Sequence, residues 1–453
     1  MRCALMLLVA AACAGADRDP DQTLARLREI VRDQATRLPN YTCVQTIDRL
    51  YFAPEQHATA AESGGWIPGL PRSCVDLAPL KRKGEYLLLP YMADRFRLEV
   101  RVGPDAEMYS WVGASHFEDR PLRELIGSPP TSTGSFGPAL LDILGDATEF
   151  QFEGAKTVNG WRAYAYSFRV PVGRSHHSFV VQDGSDKAVA YEGTIFADPE
   201  TGAPVQLNIL AGELPSEANC CRFTTALDYR HVRIGAAEFL LPFEALQRFV
   251  MPGGREVENT VTFSSCREYG AESTVAYEGG PSSGPASRAD AAPLSAWDAP
   301  AGLPVAIALT TRIDSAVAAA GDPFKGRLAA PVLDKLKHVI APEGSLVRGR
   351  VTLAGRMLEQ PSSTPMLPHP GHVEIHLKIE TIEIGGIETP AHLTGKRDPA
   401  TLSQPHGSFG SRGLPIGEIP QRNAEGHATV QCPGKRCVIR EGFRTEWVTV
   451  GRP

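Results

Sequence analysis

The stretch RFRLEVRV, residues 95–102, puts Phe96, Leu98, Val100 and Val102 at every second position, with Arg95, Arg97, Glu99 and Arg101 between them. A period of two is the period of a strand buried on one face and wet on the other, and it does not fit a helix. The pattern recurs. Trp161–Val170 sets Tyr164, Tyr166 and Phe168 on one face, and in 373–379 Val373, Ile375, Leu377 and Ile379 alternate with Glu374, His376 and Lys378. Weaker strand patterns occupy 41–51, 108–112, 150–152, 178–182, 222–234, 239–241, 244–251 and 256–264, and then 305–309, 324–329 and 346–353. One-sided alternation repeated this often predicts antiparallel sheet with a single buried face.

A hairpin is legible in full. In YEGTIFADPETGAPVQLNI (191–209), Val205, Leu207 and Ile209 alternate with Gln206 and Asn208, while Phe196 interrupts the polar face of the first arm. The arms are joined by Asp198-Pro199-Glu200-Thr201-Gly202. There Asp can bond its own backbone, Pro pre-sets φ and Gly accepts a positive φ. The clearest helix starts at Asp19-Pro20-Asp21. Asp19 is placed to cap, Pro20 suits the first helical position, and Leu24, Leu27, Ile30 and Val31 form one stripe. Shorter helices are expected at 121–126 and 136–144.

The opening MRCALMLLVAAACAGAD has the charge, apolar run and small-x-small site of a secretory signal peptide, residues 1–16. Ala10-Ala11-Ala12-Cys13 is a degenerate lipobox and offers a lipid anchor at Cys13 as an alternative. No later stretch has the apolar length of a transmembrane span. The expected location is the periplasm or the medium, with or without a tether to the outer membrane. In an oxidising compartment Cys43, Cys74, Cys221, Cys266, Cys432 and Cys437 are disulfide candidates. Neighbourhood along the chain suggests Cys43 with Cys74, Cys266 with Cys220 or Cys221, and Cys432 with Cys437. The formal net charge of −6 is spread along the chain, and no basic block argues for nucleic acid.

Residues 279–301, rich in Gly, Pro, Ser and Ala without any period, read as a flexible linker. It divides the chain into 17–278 and 302–453. The fold class is therefore mainly β (α+β): a helix cradled by a curved antiparallel sheet, a linker, and a smaller β-barrel-like domain. The excursions 52–72, 360–370 and 400–424 read as loops.

The leading helix, the wide sheet and the DPETGAPVQL turn of the first part resemble the lipoprotein-carrier fold of LolA and RseB. That resemblance implies a half-open barrel around a helix that cradles an acyl chain. The same part resembles secreted acidobacterial-type proteins of unknown function, through LPNYTCVQTIDR (38–49), EMYSWVG (107–113), TGSFG (133–137) and LDYRHVRIGAAEFLLP (227–242). The second part, with LPVAIALTTRIDS, GDPFKGRLAAPV and IAPEGSLVRGRVT, resembles the periplasmic β-barrel of conjugation and type IV secretion channel proteins.

Catalytic signatures are sparse. The chain has no P-loop, no G-x-G-x-x-G, no H-E-x-x-H and no nucleophile elbow, and His176-His177 beside Ser175 and Ser178 reads as a turn. His372, Glu374 and His376 share a strand face that would suit a metal, but a solvated face, which also accounts for Lys378, is the preferred reading. The vicinal Cys220-Cys221 suits redox chemistry or one bonded and one passenger thiol. No metal, cofactor or catalytic set is assigned. Tyr109, Trp111, Tyr164, Tyr166 and Phe168 are the candidates for an apolar cradle. The leading functional expectation is a non-enzymatic envelope protein that binds a lipid, a lipoprotein acyl chain or an apolar peptide segment. The rival is a scaffold without ligand, and a hydrolase comes third.

Overall fold

In the computed structural model, the described residues are 19–54, 74, 88–103, 107–114, 117, 122–126, 132, 139–147, 149–181, 183–252, 254–269, 299–358, 371–395 and 426–451. The signal-peptide segment with Cys13, most of the expected linker, and the loops 360–370 and 400–424 lie outside them. The protein is mainly β, a large curved antiparallel sheet with few helices.

Helix α1 (Pro20–Arg37) begins as its sequence dictates: Asp19 Oδ1 accepts a hydrogen bond from Asp21 N at 3.0 Å. Its buried residues Thr23, Leu24, Leu27 and Val31 form a stripe laid on the sheet. The sheet of the first part runs, neighbour to neighbour, through β4 (Phe150–Val158), β5 (Trp161–Val170), β8 (Tyr191–Ala197), β9 (Pro204–Ala211), β10 (Arg222–Ile234), β11 (Ala237–Val250), β12 (Glu256–Glu268), β1 (Tyr41–Pro54), β2 (Leu88–Val102) and β3 (Glu107–Trp111). A side hairpin pairs β6 (Ser178–Val180) with β7 (Asp186–Ala188). Two short helices, α2 (Leu122–Ile126) and α3 (Ala139–Asp146), add Leu122, Leu125, Ile126, Leu140 and Ile143 to the same core.

The turn after β8 forms as its residues require. Asp198 Oδ1 accepts from Glu200 N at 3.0 Å and Thr201 N at 2.7 Å, and Gly202 sits at φ +75° against Arg26 of α1. Two expectations change. The separate strands 239–241 and 244–251 are one strand, β11, because the register against β10 shifts at Pro242 and Phe243; this bulge hides the alternation. The strand 150–152 extends to Val158. Among the described residues β4 pairs with β5 alone and is mostly exposed, so its composition carries no period; Asn159 and Gly160, both at positive φ, turn it back.

In the second part, β13 (Pro304–Leu309), β15 (Pro323–Leu328), β18 (Leu346–Met357) and β19 (His372–Ile384) pair in that order, and β24 (Arg444–Thr449) lies on the free side of β13. β19 also pairs with β20 (Ile387–Pro390) and β22 (Ala428–Pro433), and β21 (Leu393–Gly395) pairs with β24. Short pairs join β14 (Ile313–Asp314) to β23 (Val438–Ile439) and β16 (Val332–Leu333) to β17 (Val339–Ala341). These strands enclose a second core around Trp447, whose indole donates to Thr445 Oγ1 at 2.8 Å.

The two cores meet along β2. Gly355, Arg356 and Met357 of β18 pair with Asp94, Ala93 and Met92, and Ala320 exchanges backbone hydrogen bonds with Arg95 and Arg97. Ala320 belongs to the core of the first part. Gly321 has to be glycine: it lies at φ +105°, and a Cβ there would come within 2.2 Å of the Arg97 carbonyl oxygen. Arg350 closes the joint by donating to the carbonyls of Val112 and Gly321.

Candidate functional site

The helix-covered face of the sheet is built in rows set by register. One row, Ile195, Leu207, Leu227, Ala245, Val261, Ile47 and Phe96, is apolar and buried from end to end. A second apolar row runs through Phe223, Phe249, Val257, Tyr51 and Met92. Between them lies Gly193, Ile209, Thr225, Gln247, Asn259, Arg49 and Asp94, which is polar from Thr225 onward and equally buried.

Arg49 and Asp94 form a two-pronged pair, Nε to Oδ1 at 2.7 Å and Nη2 to Oδ2 at 2.5 Å. The guanidinium also lies 4.4 Å from the Phe96 ring centre and 5.3 Å from that of Tyr51. Burial opposes its charge, but the Asp94 carboxylate holds its pKa above the ordinary value. Burial also raises the pKa of the Tyr51 hydroxyl, which donates to Asp94 Oδ2 at 3.4 Å. Asn259 Nδ2 reaches Gln247 Oε1 at 3.4 Å. The Oγ1 of Thr225, and the Oε1 of Gln45 on the same face beyond Ile47, are buried without a hydrogen-bond partner among the described residues. A buried polar atom left unpaired costs about 1–3 kcal/mol, so these two atoms call for a water or a ligand group.

Helix α1 is tied down at both ends of this face. Tyr166 donates to the Pro20 carbonyl at 2.7 Å, and Gln34 Oε1 accepts from Leu240 N at 2.5 Å. Burial pushes the Tyr166 hydroxyl up to about 12.

The aromatic candidates are not brought together as one group. Tyr164, Tyr166 and Phe168 follow one another along the buried face of β5, with Phe152 of β4 at 5.1 Å from Tyr164 and 5.7 Å from Tyr166. Tyr109 and Trp111 lie on β3, beyond β2, where Trp111 packs against Gly321 of the second part. Phe152 and Trp161 remain exposed beside the β5 group. Sequence reasoning missed the polar row. The signal was present on each strand as one polar residue in phase with apolar ones: Thr225 between Phe223 and Leu227, Gln247 between Ala245 and Phe249, Asn259 between Val257 and Val261.

On the opposite face of the sheet an open trough of about 710 Å³ crosses β5, β8, β9, β10 and β11, lined among others by Ser167, Thr194, Asn208, Leu210, Ala226 and Leu246.

Chain neighbourhood gives the Cys432–Cys437 bond correctly, but the other two pairings differ. Cys43 is bonded to Cys266, 223 residues away, because β1 and β12 are adjacent and their register shift brings the two together. Cys74 is bonded to Cys221, and Cys432 to Cys437. Cys220 is the free thiol among the described residues; burial pushes it up to about 11, which leaves it protonated and unreactive at neutral pH.

His376 Nε2 lies 2.5 Å from Glu374 Oε1, and among the described residues no cluster of His, Cys, Asp and Glu is close enough to hold a metal. His177 N donates to Ser175 Oγ in a local turn, and the His177 ring sits 4.4 Å from that of Tyr191. No described helix is long and apolar enough to cross a membrane.

No family profile and no curated protein matches the chain. Among solved structures, similar folds occur in a domain assigned to outer-membrane lipoprotein sorting from Vibrio parahaemolyticus (10% identity, 53% of this chain and 91% of that one, TM-score 0.23), in a DUF1329 family protein of Desulfovibrio piger (10%, 54% and 93%, 0.24) and in the Mycobacterium tuberculosis lipoprotein LppX (11%, 55% and 98%, 0.20). The expected resemblance of the second part to conjugation and type IV secretion channels is not supported.

Proposed function

We propose that this is an exported, non-enzymatic envelope protein whose helix-covered sheet face holds an amphipathic ligand, either an acyl chain with its ester or amide end or an apolar peptide segment. The observation that carries the reading is the polar row set between two apolar rows, with Thr225 Oγ1 in that row and Gln45 Oε1, on the same face beyond Ile47, left without partners among the described residues. A purely apolar core would be cheaper without that row, whereas a ligand with an apolar chain and a hydrogen-bonding end uses both kinds of surface. The bonded cysteine pairs fit an oxidising compartment. The aromatic residues Tyr164, Tyr166 and Phe168, next to the exposed Phe152, form the apolar end of the proposed cradle.

The rival, a ligand-free scaffold, draws on the depth at which Tyr109, Tyr166 and Phe168 are already buried. In that case ordered water satisfies the polar row.

Native mass spectrometry of protein isolated from its host, before and after organic extraction, separates the two. A releasable mass of lipid or short-peptide size supports the ligand reading. A bare chain that also fails to take up a fluorescent fatty acid or an apolar peptide overturns it.

A further inference from the structure

The short hairpin of β16 and β17 carries an exposed apolar tip that neither core explains. Val332 and Ala341 pair across it and are buried in the second core. Leu333 and Val339 pair one step further out, on the opposite face, and are 37% and 59% exposed. At the apex Leu336 is 76% exposed.

The apex is rigid. Asp334 Oδ1 accepts from Leu336 N and from His338 N, both at 2.8 Å, and Asp334 Oδ2 lies 3.0 Å from His338 Nδ1. The backbone closes with Asp334 N to His338 O at 2.9 Å, and Lys337 takes φ +67° to make the turn. The Asp334 carboxylate is thus spent inside the turn. Lys335 and Lys337, exposed on either side of Leu336, form no ion pair among the described residues. In a chain of net charge −6 this places a cationic, apolar apex on a fixed stem.

We propose that this hairpin tip docks on a membrane surface with anionic headgroups, inserting Leu336 between the acyl chains while Lys335 and Lys337 meet the phosphates. An apolar residue flanked by lysines satisfies both layers of such a surface. A protein partner would need about 800 Å² on each side, more than an apex of this size offers. The preformed turn means that little conformational entropy is lost on insertion. This inference is independent of what the cradle holds.

The test uses the full chain with sedimented vesicles of phosphatidylcholine, with and without phosphatidylglycerol. The wild type is expected to bind the anionic vesicles, less so as salt is raised. Leu336→Asp is expected to lower the partition coefficient at least roughly tenfold, the lower end of the worth of one buried leucine. Replacing Lys335 and Lys337 by Glu is expected to remove the preference for phosphatidylglycerol, at about fivefold per lysine lost. In a Leu336→Trp variant the introduced indole is expected to shift its emission to the blue on anionic vesicles and to be quenched by lipids brominated along the acyl chain. Equal partition of the wild type and Leu336→Asp, or an indole that vesicles leave unchanged, overturns the proposal. So does a vesicle-free dimer that Leu336→Asp abolishes, which would assign the tip to a second copy of the chain.

Discussion

Two ion pairs occupy neighbouring rungs of the same ladder. Asp48 stands opposite Arg95 and Arg49 opposite Asp94, on β1 and β2. Both pairs join an arginine to an aspartate at bonding distance. The Arg49–Asp94 side chains are 0% and 5% exposed, and the Arg95–Asp48 side chains 29% and 43%. One residue of phase sends the first pair to the helix-covered face and the second to the face where the other half of the protein docks. The lesson is that residue type says little about the worth of a charge. An exposed pair adds about 0–1 kcal/mol, whereas removing one partner of a buried pair costs about 3–5 kcal/mol because the other charge is stranded.

The largest expected effect breaks the inner pair. Asp94→Ala leaves the Arg49 guanidinium among Phe96 and Tyr51 without its carboxylate, and the urea midpoint should fall by the equivalent of about 3–5 kcal/mol. Replacing both partners with apolar residues, Arg49→Met with Asp94→Leu, should recover most of that loss, since no charge is then buried. If Asp94→Ala costs no more than an outer-face substitution, water reaches the row and the contrast between the faces fails. If the double variant is stable yet loses the ligand found by mass spectrometry, the pair serves binding and not the fold.

The next effect in size tests what covers the outer face. Arg95 donates to the Ala316 carbonyl, and Arg97 donates to the Val317 carbonyl and pairs with Asp322, so the outer face of β2 is partly roofed by the loop leading into β15. Gly321→Ala would drive a Cβ to within 2.2 Å of the Arg97 carbonyl and 2.7 Å of the Trp111 ring at φ +105°. Backbone strain and overpacking together predict a loss of about 3 kcal/mol. Amide exchange locates the damage: the Arg97 and Ala320 amides, which bond across the joint, should lose protection before the second core around Trp447 does. Protection lost uniformly would mean that the two cores unfold as one unit and that the joint is no separate element.

The difference between the faces also explains what the sequence shows and what it hides. The alternation in 95–102 identifies β2 and its buried face without help, and Asp198 with Gly202 identifies the β8–β9 turn. Extending the phase of Phe96 back by one step puts Asp94 on the buried face, and the phase of Ile47 does the same for Arg49. What no single strand can show is that these exceptions fall opposite one another across β10, β11, β12, β1 and β2, because register is a property of the assembled sheet. The long-range disulfide was hidden for the same reason: Cys43 and Cys266 are 223 residues apart and become neighbours only when β12 returns beside β1, whereas Cys432 and Cys437, close in the chain, pair as expected. The exposed edge strand β4 was cut short because a strand with little to bury has no period to read. Leu336 and its lysines gave no pattern either, since a lone apolar residue at a turn becomes informative only when its exposure is known.

The smallest expected effect is the outer rung itself. Asp48→Ala should change stability by about 0.5 kcal/mol, close to the resolution of a urea titration, so a double-mutant cycle with Arg95→Ala is the sharper measurement. Arg95→Ala alone should cost more than Asp48→Ala, because Arg95 also holds the Ala316 carbonyl at 2.9 Å. The cycle subtracts that contact and leaves the coupling of the pair. This coupling should shrink as salt is raised, since the pair lies within reach of counterions. The coupling between Arg49 and Asp94, measured the same way, should not. A salt-insensitive coupling at the outer rung would mean that the docked loop seals Asp48 and Arg95 from water, and the two faces of β2 would then differ in what covers them and not in whether they are covered.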